Sequence, residues 1–183
     1  LRVVRNGIAP VPPRARVSRT RAGLGIPLDA PLVIAVGRLT PQKGADLLLG
    51  AIPSILARVP DARFVWVGDG PLRDEFLAAI DAAGLGRALT LVPSSDDVPG
   101  LLSASDLFVM PSRFEGLPLV ALEAMAVGLP VIVTDRVGCA DDIVDDGSTG
   151  LVVPVASPER MAAAIVRLVD DPGLRSALGR RGG

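Results

Sequence analysis

Short apolar runs recur along the chain, and their consecutive positions are apolar instead of alternating with polar residues. A strand that is apolar on both faces is buried on both faces, which is typical of a parallel sheet covered by helices. The pattern predicts six strands, at residues 31–37, 62–68, 88–92, 106–110, 130–134 and 150–154.

Amphipathic stretches alternate with these runs. They predict helices over residues 45–59, 71–84 and 157–171, and a further helix that opens at Pro118. We expect the first of them to kink at Pro53, because proline removes a backbone donor from a helix. Strands that alternate with helices predict an α/β fold with a doubly wound, parallel, six-stranded Rossmann-like sheet.

Residues 1–30 are rich in Pro and Arg, and we interpret them as a linker ahead of one domain at residues 31–183. No signal-peptide pattern is visible at the amino terminus, so we expect a cytoplasmic chain that begins within a longer protein.

The apolar stretch from Leu117 to Thr134 contains one charge, Glu123. A membrane-spanning helix needs about 20 uninterrupted apolar residues, whereas Gly128 and Pro130 divide this stretch into a helix and a strand. We therefore expect Glu123 to be a buried carboxylate, which needs polar partners. Either a core ion pair, for example with Arg38, or the hydroxyl groups of a ligand would satisfy it.

Composition narrows the chemistry. The 183 residues are 49% hydrophobic and 21% charged, with a formal net charge of -1, so we expect no nucleic-acid partner. The chain has no histidine and one cysteine. It lacks the commonest general base and the commonest zinc ligand, and its single thiol cannot close an internal disulfide. We expect neither a metal nor a cofactor.

The residues that follow the predicted strands are where a doubly wound fold binds its ligand. Arg38 and Lys43 lie in "GRLTPQKG" after the first strand, in a loop that leads to a helix amino terminus. Two cations beside such a helix end can bind an anion. Glu115 follows the fourth strand, in a loop that leads to the helix carrying Glu123. Each segment alone is also compatible with an ordinary solvated loop.

The ordered set of motifs resembles the carboxyl-terminal half of glycosyltransferase family 4. It comprises "GRLTPQKG", then "GDGPL", then "PSRFEGLPLVALEAMAVGLPV", then "GCADD". The resemblance covers nearly the whole chain, including "NGI" at Asn6–Ile8, and the segment with two glutamates eight residues apart is its most specific part. It implies one half of a GT-B fold and a retaining enzyme that uses nucleotide sugars without a metal.

The resemblance also implies roles for individual residues. Arg38 and Lys43, with Gly37 giving close backbone approach, match the pair that holds the donor diphosphate. Glu115 matches the acid near the donor sugar, and Glu123 matches the acid that binds the ribose hydroxyls. The amides of Gly116, Leu117 and Leu119 match those that cap phosphate and sugar. Arg38, Lys43 and Glu115 are thus the catalytic candidates.

The sequence departs from the family pattern in the loop at residues 92–100, which is short and lacks the usual glycine, and in "GCADD", where Cys139, Asp141 and Asp142 replace glycine, proline and glutamate. In the family the loop after the third strand usually contacts the nucleotide base, so the first departure leaves the identity of that base undetermined.

We expect a nucleotide sugar and an amino-terminal acceptor domain as partners, peripheral membrane contact only through that domain, and little or no transfer by this chain alone. A domain related to sugar-nucleotide 2-epimerases and a non-catalytic nucleotide-binding remnant remain alternatives.

Overall fold

The computed structural model describes residues 17–116, 118–137 and 143–183. The strands are β1 Leu32–Val36, β2 Arg63–Val67, β3 Leu89–Val92, β4 Leu107–Met110, β5 Val131–Thr134 and β6 Gly150–Val153. The α-helices are α1 Val17–Gly23, α2 Ala45–Leu56, α3 Arg73–Ala82, α4 Val98–Ser103, α5 Leu119–Ala126, α6 Pro158–Asp170 and α7 Pro172–Gly182. A short 3₁₀ helix, Pro41–Lys43, precedes α2.

The six strands form one sheet in the order β3-β2-β1-β4-β5-β6, and every neighbouring pair is parallel. This confirms the predicted doubly wound α/β sheet. Each strand lies within one residue of its predicted bounds, because each buried run is bracketed by glycine, proline or charged residues.

Both faces of the sheet are covered, as the apolar pattern predicts. Val33 and Ala35 of β1 pack into a core that includes residues of α2, α3 and α6. Leu32 and Ile34 of the same strand pack into a second core with residues of α4 and α5. Successive side chains of a strand point to opposite faces, so a strand between two helical layers must be apolar throughout.

The interpretation of residues 1–30 as a linker is wrong for the part that the structure describes. Val17–Gly23 is helical, and Ile26 and Ala30 are buried in the second core. Arg21 is 4% exposed and fastens this segment to the sheet. It donates hydrogen bonds to the carbonyls of Ala30 and Ala104 and forms an ion pair with Asp106 at 2.8 Å. All three guanidinium nitrogens of Arg21 donate hydrogen bonds inside the domain, which the Arg-rich composition of this segment does not reveal.

Besides α1, two described helices, α4 and α7, were not predicted. In α4, Asp97 caps the first turn by accepting from the Gly100 amide at 3.1 Å, so part of the predicted loop at 92–100 is helical. In α7, Asp171 caps the first turn in the same way. Aspartate followed by proline at the first helical turn is the sequence pattern that both share.

The helix α2 continues through Pro53, which is exposed. Within the described ranges no helix is long and apolar enough to cross a membrane.

Candidate functional site

The site lies where the strand order reverses. β1 and β4 are neighbours in the sheet, and their connections leave toward opposite sides. The loops that follow two such strands open a crevice between them, at the carboxyl edge of the sheet. Residues 37–44 follow β1 and residues 111–116 follow β4, so Arg38, Lys43 and Glu115 lie in the two loops at this crevice.

Trp66 and Lys43 contact the loop that follows β1 at Gly37. The Trp66 indole Nε1 donates to the Gly37 carbonyl at 2.9 Å, and Trp66 itself is 1% exposed and packs edge-on against Phe76. The methylene stem of Lys43 lies over Gly37, because a Cβ on this glycine would stand 3.2 Å from Lys43 Cδ. The lack of a side chain at Gly37 therefore allows the Lys43 side chain to pack closely against the backbone of this loop.

The glycines of "GDGPL" serve a backbone contact between two loops. A Cβ on Gly68, whose φ is +139°, would stand 2.1 Å from the Gly37 carbonyl oxygen. One on Gly70 would stand 2.5 Å from the carbonyl oxygen of Leu39. The amide of Leu39 donates to the Asp69 carbonyl at 2.9 Å. Only residues without a side chain allow the loop after β2 to support the loop after β1 at this distance.

Hydrogen bonds and an ion pair join the loop after β4 to the 3₁₀ helix and to the first turn of α2. The Arg113 amide donates to the Gln42 carbonyl at 2.7 Å, and the Gln42 side chain donates to the Phe114 carbonyl at 3.0 Å. The Arg113 guanidinium makes a two-pronged ion pair with the Asp46 carboxylate, at 2.8 and 2.6 Å. This hydrogen-bonded pair holds the pKa of Asp46 below its ordinary value and raises that of Arg113.

These contacts bring two predicted site residues together. The Lys43 ammonium forms an ion pair with Glu115 Oε1, and the Ser112 hydroxyl donates to the same oxygen at 3.0 Å. The Glu115 side chain is 9% exposed and that of Lys43 is 24% exposed. Ser112 is in turn fixed by β5, since the Thr134 hydroxyl donates to the Ser112 carbonyl. The crevice therefore contains a carboxylate and an ammonium that neutralise each other.

The remaining predicted residues surround this pair. Arg38 is exposed, and it makes no ion pair with any described residue. Gly116 is exposed, and a Cβ there would meet no atom within 4 Å. Leu119 is the first residue of α5, so its amide has no intrahelical acceptor. Leu117 lies outside the described residues, as do Asn6–Ile8 and the "GCADD" segment at 138–142.

The expectation of a buried Glu123 is wrong. Its residue is half-buried on α5, and its carboxylate forms no ion pair or hydrogen bond with the described residues, Arg38 included. The apolar residues that flank it in sequence, Ala121, Ala124 and Met125, occupy the buried face of the helix, and Glu123 lies beside that face. A helix turns by about 100° per residue, so neighbours in an apolar run need not share its burial.

Ser112 belongs to one of the sequence motifs, but its contact with Glu115 was not predicted, nor were the contacts of Thr134, Gln42 and Asp46. Ser112 could have been found from its position, directly after a buried strand and three residues before Glu115. The partners of Arg113 could not, because Asp46 lies 67 residues away in the chain.

A separate apolar groove of about 400 Å³ lies beside the Arg113–Asp46 pair. Leu49 of α2 and Phe76 of α3 are among its lining residues, whereas Lys43, Glu115 and Glu123 do not line it.

Comparison with known proteins defines the class of this domain. The family model described as "Glycosyl transferases group 1" matches residues 17–183. An alpha-D-kanosaminyltransferase of Streptomyces kanamyceticus is 38% identical over 162 residues, which are 87% of this chain and 41% of that protein. The chain belongs to the group 1 glycosyl transferases, which confirms the resemblance seen in the motifs.

Two further similar proteins are described with a nucleotide sugar, which is GDP-mannose for one and UDP-glucose for the other. A GDP-mannose-dependent alpha-(1-6)-phosphatidylinositol monomannoside mannosyltransferase of Mycolicibacterium smegmatis is 35% identical, over 95% of this chain and 47% of its own length. The structure of Anabaena Alr3699/HepE in complex with UDP-glucose superposes with a TM-score of 0.84 and 25% identity, over 92% of this chain and 46% of that one. The chain spans about half the length of the three relatives named above.

Proposed function

We propose that this chain is the donor-binding domain of a retaining glycosyltransferase, which transfers a sugar from a nucleoside diphosphate sugar to an acceptor bound by a separate amino-terminal domain. One observation carries the proposal. Lys43 and Glu115 come from two loops 72 residues apart and meet at the crevice where a doubly wound sheet binds its ligand. The family and the partial coverage of its relatives support the same assignment.

The chemistry of the crevice suits a diphosphate leaving group. Breaking the bond between the sugar and the phosphate leaves negative charge on the diphosphate, and fixed positive groups stabilise that charge most. Lys43 and Arg38 would supply two cations, and the first amides of α5, which begin at Leu119, would add the positive end of a helix. In this proposal Glu115 meets the transferred sugar and Glu123 the ribose hydroxyls.

We propose that the donor binds without a metal ion. The supporting observation is the ammonium of Lys43 and the guanidinium of Arg38 at the crevice, which would donate charge-assisted hydrogen bonds to phosphate oxygens directly. Among the described residues no three acidic or thiol side chains converge as metal ligands.

One relative is described as GDP-mannose-dependent and another structure contains UDP-glucose, so the nucleotide base and the sugar that this chain binds are the first properties to determine. The experiment is a thermal-shift panel of the 183-residue chain with UDP, GDP, ADP and their sugars. We expect one base to raise the melting temperature by mass action. Absence of a shift and of calorimetric heat with all of them would refute donor binding.

Calorimetry on charge variants then locates the site. A charge-assisted hydrogen bond contributes about 1.5–3 kcal/mol, so Arg38→Ala and Lys43→Ala should each weaken nucleoside diphosphate binding about tenfold or more. Arg58→Ala is the matched control, because Arg58 is exposed and lies after α2, at the opposite edge of the sheet. A loss of affinity in Arg58→Ala equal to that in the two site variants would place the anion contact elsewhere.

A further inference from the structure

We propose that Glu115 is a positioning residue for Lys43. Its carboxylate holds the ammonium where it meets the diphosphate, and it stays bonded to the ammonium while the diphosphate is bound. The inference rests on the proposed function and adds to it a coupling between the sugar part and the phosphate part of the site.

The first step is the geometry of Lys43. Its stem is seated on Gly37, and its ammonium is bonded to Glu115 Oε1, so both ends of the side chain are fixed. An ammonium has three N–H donors. The bond to Glu115 uses one of them, and the side chain is 24% exposed. No described residue accepts from the other two, so in this proposal they bind phosphate oxygens without a break in the ion pair.

The second step excludes an exchange of partners. If a diphosphate drew Lys43 away, Glu115 would remain 9% exposed with the Ser112 hydroxyl as its one donor among the described residues. Leaving a largely buried charge without its counter-charge is strongly unfavourable. A lysine that bridges the carboxylate and the phosphate avoids this cost, since each anion keeps a donor.

The third step is what the carboxylate contributes. A lysine has four rotatable side-chain bonds, and fixing them costs conformational free energy. In the free protein the pair with Glu115 has already fixed them. A neutral amide in its place would hold the ammonium less firmly, and the ligand would have to order it. Glu115→Gln should therefore weaken binding of a diphosphate that has no sugar, whereas a carboxylate that met only the sugar would leave this affinity unchanged.

The test is a double-mutant cycle with two sugar-free probes, UDP and inorganic pyrophosphate, measured by calorimetry at fixed salt. The variants are Lys43→Met, Glu115→Gln and their combination. We expect about a fivefold loss of affinity for Glu115→Gln, a larger loss for Lys43→Met, and no further loss in the combination, because without the ammonium there is nothing to position. Glu159→Gln, the same substitution at an exposed site on α6, is the matched control and should bind like the wild type.

Ser112→Ala gives a second route that alters no charge. It removes the hydroxyl that donates to Glu115 Oε1, so it should weaken UDP binding about twofold to threefold. Melting curves will show whether each variant is folded. If Glu115→Gln does not fold, an unchanged affinity in Ser112→Ala overturns the inference.

The outcomes separate the two proposals. A wild-type chain that binds UDP, combined with tighter or equal binding in Glu115→Gln, overturns the positioning role alone. So do losses that simply add in the double variant. A wild-type chain that binds neither probe, nor GDP or ADP, refutes the proposed function and this inference with it.

Discussion

Gly44 is the residue on which the meeting of the two site loops depends. It lies between the 3₁₀ helix and α2, next to Lys43, and its φ is +68°. A Cβ at this position would stand 2.1 Å from the carbonyl oxygen of Pro111, in the loop that leads to Glu115. Gly44→Ala should therefore strain the backbone and force the two loops apart.

The magnitude has two parts. A left-handed conformation costs an alanine about 1–2 kcal/mol, and the lower entropy of the unfolded chain returns about 0.4–1 kcal/mol of this. Overpacking adds about 1–3 kcal/mol, because the Pro111 carbonyl belongs to the backbone and cannot rotate away as a side chain could. We expect Gly44→Ala to cost about 2–4 kcal/mol of unfolding free energy in total, which lowers the melting temperature of a domain of this size by roughly 5–15 °C.

Gly84→Ala is the matched control. Gly84 has a φ of +67°, nearly that of Gly44, and no atom lies within 4 Å of its added Cβ. It should show the backbone cost alone, about 1 kcal/mol. The assay is urea unfolding of both variants, followed by UDP titration of the folded material. If the two variants unfold at the same urea concentration, the contact between Gly44 and the Pro111 carbonyl adds no cost to Gly44→Ala, which refutes the argument.

Three further predictions concern charges. Arg113 lowers the pKa of Asp46, so their pair stabilises the fold above the ordinary value of 3.8 and loses its effect as the pH falls through the lowered value. Both side chains are substantially exposed, so Asp46→Asn should cost no more than about 0.5 kcal/mol at pH 7, and its deficit in melting temperature should shrink below pH 3.8. UDP affinity should not change with EDTA, and a strict requirement for Mg²⁺ or Mn²⁺ would contradict the proposed cationic site. Glu123→Gln should leave the melting temperature of the free protein within about 1 °C, because Glu123 has no partner among the described residues and such a change costs under about 0.5 kcal/mol, and it should weaken UDP binding about tenfold.

The sheet was predictable because its determinants are local. β1 and β4 are runs of buried apolar residues that end at Gly37 and Pro111, and a parallel sheet requires such runs. The positions of Lys43 and Glu115 at the crevice followed from the same rule, since both lie in loops after neighbouring strands. Their order along the chain was enough to place them at one edge of the sheet.

The contacts within the site were not predictable, because they depend on which loops approach each other most closely. Gly68 and Gly70 belong to the motif "GDGPL", but their support of the backbone of Gly37 and Leu39 requires three-dimensional proximity. The ion pair between Arg113 and Asp46 likewise joins residues far apart in the chain. Charge alone marks such residues as ordinary surface, and only their geometry distinguishes them.

The two glutamates of the motif, which the sequence presents as a pair, differ in how the protein holds them. Glu115 is 9% exposed in its side chain and bonded to an ammonium and a hydroxyl, so its position is set before any ligand arrives. Glu123 is half-buried without a partner among the described residues, so no described contact sets the position of its carboxylate. A preorganised group contributes most where geometry must be exact in the reaction, and an adaptable one suffices where a ligand needs only to be bound. The difference fits a reacting end of the ligand at Glu115 and a non-reacting end at Glu123, which is the arrangement that we propose.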